Sequence, residues 1–307
     1  MRPYPGGGVS GQLRPGWATR PERGNTAVIR GAVWLALALG RPAAWLLLHA
    51  VSLYFMAVSA ADREASRQYL RRALGREPGL ADVFRHFHAF ATTILDRVYL
   101  LNDQYDRFEV RVHGEDIVAG MLARGEGCLL VGAHLGSFEI VRFVGRAARA
   151  LRVTLVMYEQ NTMTLNAALN AINPELAMRV IELGRIDSML RLERALADGE
   201  FVGMLADRAI EGESTIACPF LGSPARFPAG PFRIAAMLKR PVVLMFGIYR
   251  GGNRYDVHFE RLAGIGATAR AERDRAIEEA LRQYVGRLEH YCRTAPYNWF
   301  NFHDYWS

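Results

Sequence analysis

Cys128-Leu129-Leu130-Val131-Gly132-Ala133-His134-Leu135-Gly136-Ser137-Phe138-Glu139 opens on an uninterrupted apolar run, Cys128 to Ala133, and passes at once into a glycine-bearing turn. A short run of this kind reads as a strand buried on both faces, which occurs where helices cover a parallel sheet. Working outward, similar runs lie at residues 153–158, 179–183, 201–206 and 242–249. Helical stretches are expected between them at 137–150, 164–171, 187–196 and 230–238. Strands that alternate with helices specify an α/β fold with a mostly parallel twisted sheet and helices on both faces. Residues 109–113 are expected as a further short strand, residues 255–260 as an antiparallel edge strand, and residues 271–291 as the last helix. Upstream, 62–74 reads as a polar helix stopped by Gly75. Residues 80–101 carry a helical stripe through Val83, Phe84, Phe87, Phe90, Ile94, Leu95 and Val98.

The N-terminal part differs. The chain has 307 residues and a net charge of +7. Arg2, Arg14, Arg20, Arg23 and Arg30 stand against Glu22 alone within residues 1–30. This stretch is rich in Gly and Pro, and cannot bury enough apolar surface to offset the entropy of ordering, so it reads as a disordered basic tail. Residues 31–61 form a hydrophobic segment broken by Arg41-Pro42, and residues 43–61 carry no charge. That length is borderline for a spanning helix, which needs about 20 apolar residues. Arginines flank the segment on both sides, which favours a helix lying in one leaflet with Trp34, Trp45 and Tyr54 at the interface. Residues 62–307 then read as one α/β domain behind a membrane-associated hydrophobic helix.

Composition excludes a disulfide scaffold and a polytopic membrane protein. Cys128, Cys218 and Cys292 form no CxxC pair and read as buried small hydrophobes in a reducing compartment, and no metal site or cofactor is expected. No dense basic cluster interleaves with aromatics, so the positive charge points to an acidic protein partner and an anionic membrane surface rather than to nucleic acid.

Position gives residues 132–139 their chemistry. Open α/β sheets place ligands beyond the carboxyl ends of their strands, where a helix start offers unpaired N–H groups. Gly132 and Gly136 allow a sharp turn, Ser137 can cap the following helix, and Glu139 lies within reach of His134. A carboxylate that holds one imidazole nitrogen leaves the other as a general base. No GxSxG elbow is present, so the substrate must supply the nucleophile: His134 would deprotonate a bound hydroxyl that attacks an activated carbonyl. The plainer reading is that His134 and Glu139 only shape the turn.

At this point the chain resembles the glycerolipid and lysophospholipid acyltransferases, whose signature is H-x4-[DE] after an apolar strand. It looks most like their lipid A biosynthesis branch, of the lauroyl/myristoyl type. Asp207-Arg208, then Pro219-Phe220-Leu221-Gly222, then Pro228-Ala229-Gly230-Pro231 follow in that branch's order. The closing Pro296-Tyr297-Asn298-Trp299-Phe300-Asn301-Phe302 is similar to a subgroup that accompanies aryl polyene and related glycolipid pathways. The resemblance covers roughly residues 40–305. It implies an acyl carrier protein or acyl-CoA as donor, a hydroxyl of a lipid or glycolipid as acceptor, and a place on the cytoplasmic face of a bacterial inner membrane. It also implies His134 as base with Glu139 orienting it, and substrate contacts from Gly136, Ser137, Asp207, Arg208, Phe220, Gly222 and Gly230, although Phe220 and Gly222 read equally as a plain hydrophobic turn and Gly230 as a structural helix start. Arg208 would meet a donor phosphate or the developing oxyanion, though it reads equally as a structural ion pair with Asp207 or Glu211. The aromatic C-terminus is expected as an apolar lid or membrane-contact edge. A catalytically silent lipid-binding or scaffolding protein of the same fold is the alternative reading.

Overall fold

A computed structural model of the chain describes residues 26–141, 144, 151–158, 180–184, 187–209, 212–265 and 270–306. The helix expected at 164–171, most of the one expected at 137–150, and residues 1–25 of the basic tail lie outside the described residues. The described strands are β1 (Glu109–His113), β2 (Cys128–Gly132), β3 (Val153–Tyr158), β4 (Val180–Leu183), β5 (Phe201–Leu205), β6 (Thr215–Phe220), β7 (Ser223–Pro228), β8 (Val242–Tyr249) and β9 (Arg254–Arg261). Seven of them form one sheet in the order β1-β9-β8-β2-β5-β3-β4. All neighbours pair parallel except β8 with β9. The antiparallel strand at 255–260 is thus present, but it is not the edge, because β1 pairs outside it.

Period-two alternation builds the core. On β2 and β8, Leu129, Val131, Val242, Leu244 and Phe246 enter one apolar cluster, while Cys128, Leu130, Val243 and Met245 enter the other. The first cluster is covered by α6 (Ser188–Ala197), α7 (Gly230–Leu238) and α8 (Arg273–Thr294). The second is covered by α4 (Leu80–Leu101) and α5 (Glu115–Ala123). This makes the interior of β2 and β8 dry on both faces. The three cysteines are free thiols and all buried.

The hairpin β6–β7 was not expected from the sequence. Its ladder places Pro219 opposite Pro224 and Thr215 opposite Pro228, and a strand carrying that much proline reads as loop. The turn between them, Leu221-Gly222, has both φ angles positive (50° and 81°), the geometry of a two-residue hairpin turn.

Upstream lie α1 (Thr26–Leu39), α2 (Arg41–Val58) and α3 (Ala60–Leu74). Gly40, at φ 77°, breaks α1 from α2, and Pro42 stands in the first turn of α2. Arg41 is buried and ties α2 down. Its guanidinium donates to both carboxylate oxygens of Asp96 at 2.8 and 2.9 Å, and Asp96 also accepts the Tyr255 hydroxyl at 2.7 Å. Val33, Ala36 and Ala44 are buried, but the outer face of the pair is unlike a core: Trp34, Leu39, Leu46, Leu53, Tyr54 and Phe55 are exposed. Among the described residues α2 is the one helix long and apolar enough to cross a membrane.

Candidate active site

The parallel register of two central strands assembles the site. Gly132 of β2 stands opposite Leu205 of β5. Two residues further along each strand this register brings His134 beside Asp207. His134 Nδ1 lies 2.9 Å from Asp207 Oδ1, and the His134 backbone N–H donates to Asp207 Oδ2 at 3.0 Å. Asp207 is fully buried. Its Oδ2 also accepts the Trp299 indole N–H at 2.9 Å, and its carbonyl accepts the Tyr305 hydroxyl at 2.8 Å.

Electrostatics fix the protonation states. Burial alone would raise the Asp207 pKa, but the charge and hydrogen bond of His134, the Arg208 guanidinium and the Trp299 N–H overcome it, and the carboxyl is held well below the usual carboxylate range. Burial and then the Arg208 charge pull His134 below its ordinary value, against the opposing pull of Asp207. At neutral pH the pair is therefore a carboxylate and a neutral imidazole. The carboxylate can only accept, so the ring proton sits on Nδ1 and the lone pair on Nε2. The His134 side chain keeps 36% of its surface open and lines a cleft of roughly 290 Å³.

The expected pairing of His134 with Glu139 is not what the structure shows. After His134 the chain is pulled away from the strand axis: Gly136 N–H donates to Asn298 O and Ser137 N–H to Gly247 O, both at 2.8 Å. Helical geometry starts only at Val141. Glu139 is carried to α4, where it meets Arg97 at 2.7 Å. For the same reason Ser137 does not cap the helix; its buried hydroxyl has no partner among the described residues.

The turn tolerates nothing larger than glycine. Gly136 has φ 65°, and a Cβ there would lie 1.8 Å from Gly247 O; a Cβ on Gly247 would lie 2.2 Å from Ser137 O. Gly136→Ala is expected to cost at least about 3 kcal/mol of stability, from backbone clash and a left-handed φ together. A thermal melt measures it, and an unchanged Tm would contradict the close approach.

Of the other expected substrate contacts, Gly136, Ser137 and Arg208 line the cleft with His134 and Glu139. Arg208 is held by the Phe300 carbonyl, and its buried Nε–H has no partner among the described residues. Asp207 lies behind the imidazole rather than on the cleft. Phe220, Gly222 and Gly230 are not on the cleft. Phe220 is a fully buried core ring packed on Phe227 and Trp299. Gly222 closes the β6–β7 turn, and Gly230 opens α7, where a Cβ would lie 2.6 Å from Glu213 Oε1.

Several cleft-lining groups escaped the sequence reading. Phe90, Ile94 and Arg97 come from one face of α4 at i, i+4 and i+7, and line the cleft with Phe138, Leu205, Phe300 and Phe302. Phe90 and Ile94 read as core stripe, yet they are exposed. Trp299 is no lid: it is fully buried, pairs with Leu135 in an isolated bridge, and holds Asp207. Phe300 N–H donates to the His134 carbonyl at 2.8 Å. The cleft is thus an apolar slot that ends at the His134 imidazole and, among the described residues, two donors without partners.

No curated protein matches the chain. The model of the bacterial lipid A biosynthesis acyltransferase family matches residues 20–307, nearly the whole of the sequence, and the chain belongs to that family of acyltransferases.

Proposed function

We propose that this acyltransferase moves a fatty acyl chain from a carrier-protein or CoA thioester to a hydroxyl of a lipid or glycolipid acceptor, with His134 as base and Asp207 as its orienting carboxylate. The observation that carries the reading is the His134–Asp207 pair at the polar end of an apolar cleft. Nε2 takes the acceptor's hydroxyl proton as the oxygen attacks the thioester carbonyl. The tetrahedral intermediate then expels the thiolate, which recovers the proton from the imidazolium, giving an ester and a free thiol. The Arg208 Nε–H and the Ser137 hydroxyl are buried donors without partners among the described residues, suited to the oxyanion that forms in between. Glu139 holds Arg97 at the cleft wall, placing a cation where a polar headgroup or donor phosphate would enter. Phe90, Ile94, Phe300 and Phe302 surround the hydrocarbon.

The acceptor is a membrane lipid, and the exposed apolar faces of α1 and α2 suit insertion into the bilayer. Because α2 packs on α4, which lines the cleft, this docking brings the slot to the lipid surface. Buried free thiols and a thioester donor favour the cytoplasmic face of the inner membrane. Changing Leu46, Leu53 and Phe55 together to Ser is expected to weaken binding to anionic vesicles by at least about 100-fold, since each exposed side chain contributes roughly 1.5–3 kcal/mol on burial. Flotation measures it, and full retention would remove α2 from the contact.

The test of the function is incubation of the purified protein with acyl carrier protein or CoA thioesters and a hydroxyl-bearing lipid A precursor. The expected result is thiol release matched one to one by an ester in the lipid's mass spectrum. Thioester loss to free fatty acid alone would overturn it in favour of hydrolysis, and no turnover with either donor would overturn it in favour of the scaffolding alternative.

A further inference from the structure

Outside the cleft lining, on the outer strands of the sheet, two histidines and an aspartate converge. β1 and β9 pair in parallel, with His113 opposite His258 and Arg111 opposite Asp256. Asp256 and His258 are two residues apart on β9, so they share one face. The imidazoles of His113 and His258 stack with centroids 4.4 Å apart and planes 6° apart. One ligand atom from each of His113, Asp256 and His258 lies within 4.8 Å of the other two. Sequence spacing hides this trio, because the register of two strands distant in sequence brings it together.

From this juxtaposition we propose that His113, Asp256 and His258 form a binding site for a single divalent transition ion of the zinc type, which staples the edge strand β1 to β9. Two imidazole nitrogens and one carboxylate oxygen are a donor set that suits zinc and its neighbours, with a fourth position for water. Tetrahedral ligands of zinc stand about 3.4 Å apart, so the two rings must turn out of their parallel stack to aim both nitrogens at one ion, which the exposed His113 side chain is free to do.

Two features of the surroundings favour a cation over a fortuitous cluster. His258 Nε2 is shut from solvent and has no hydrogen-bond partner among the described residues, a state that a buried polar nitrogen rarely keeps. The nearby carboxylate that could compete is already occupied: Glu260 accepts from Arg287 at 2.5 and 2.8 Å and from the Tyr291 hydroxyl. Asp256 pairs with Arg250, whose side chain is 37% exposed, and an exposed pair of that kind yields one oxygen at small cost.

The experiment uses the full chain without a histidine tag, purified in chelator and then exchanged into clean buffer. Titration calorimetry with zinc chloride is expected to give one equivalent bound with a dissociation constant at or below about 1 µM. His113→Ala is expected to weaken this at least tenfold, since losing a ligand costs no less than losing its supporting partner. His113 is exposed, so its removal leaves the fold intact, which an unchanged melt in chelator verifies. His258→Gln gives an independent variant with the same expected loss. Binding weaker than about 10 µM, or a loss below tenfold in either folded variant, overturns the site.

Discussion

His134→Ala is expected to lower acyl transfer by about 10³–10⁴-fold while leaving the protein folded and bound to membranes. A positioned general base contributes on the order of 10²–10⁴. Here the imidazole lies on the cleft with its lone pair held outward by a buried carboxylate. The fold survives because the side chain is partly open, and Asp207 keeps its bonds to the Trp299 indole and to the backbone N–H of residue 134. Initial rates with saturating thioester and lipid acceptor measure the effect. A variant that keeps more than about a tenth of the rate would remove His134 from the chemistry. The same assignment fixes a pH dependence. The base works only when neutral, and burial together with Arg208 holds its pKa below 6.5. The rate is therefore flat above that pH and falls only on the acid side of it.

How much of this was legible in the sequence depends on the range of the interaction involved. Strands β2, β5 and β8 announce themselves because their residues are apolar on both faces, and this local pattern survives any topology. The position of His134 beyond β2 follows from the same signal, as does the placing of Asp207-Arg208 at the end of another strand. What sequence spacing could not supply was the sheet order. H-x4-E suggests a local contact between His134 and Glu139, whereas β2 and β5 are neighbours and deliver Asp207 to the imidazole through register. The backbone bonds of Gly136 and Ser137 then send Glu139 elsewhere. Trp299 was misread for a related reason. An aromatic C-terminal run is equally suited to a lipid surface and to a core, and only the strand ends it plugs decide between them. Phe220 fails in the opposite sense, since the resemblance placed it at the acyl slot and the hairpin turns it into the core.

Asp207→Asn separates these two carboxylates, with a loss of about 10³-fold expected in turnover. An asparagine amide can donate to Nδ1, which forces the ring proton onto Nε2 and removes the lone pair from the cleft. The Asp207 charge also raises the imidazole pKa, so in the surviving activity the acid limb of the profile moves to lower pH. Glu139→Gln acts differently. It removes a charge-assisted partner from Arg97, an interaction of about 1.5–3 kcal/mol, and the expected result is a ten- to hundredfold loss felt mainly in KM for the polar substrate. Glu139 makes no bond to the ring, and so the acid limb stays in place. Profiles of kcat/KM against pH for the two variants distinguish the roles. If Glu139→Gln moves the limb and Asp207→Asn does not, the carboxylate that governs the imidazole is Glu139, and the register-built pair is not the catalytic one.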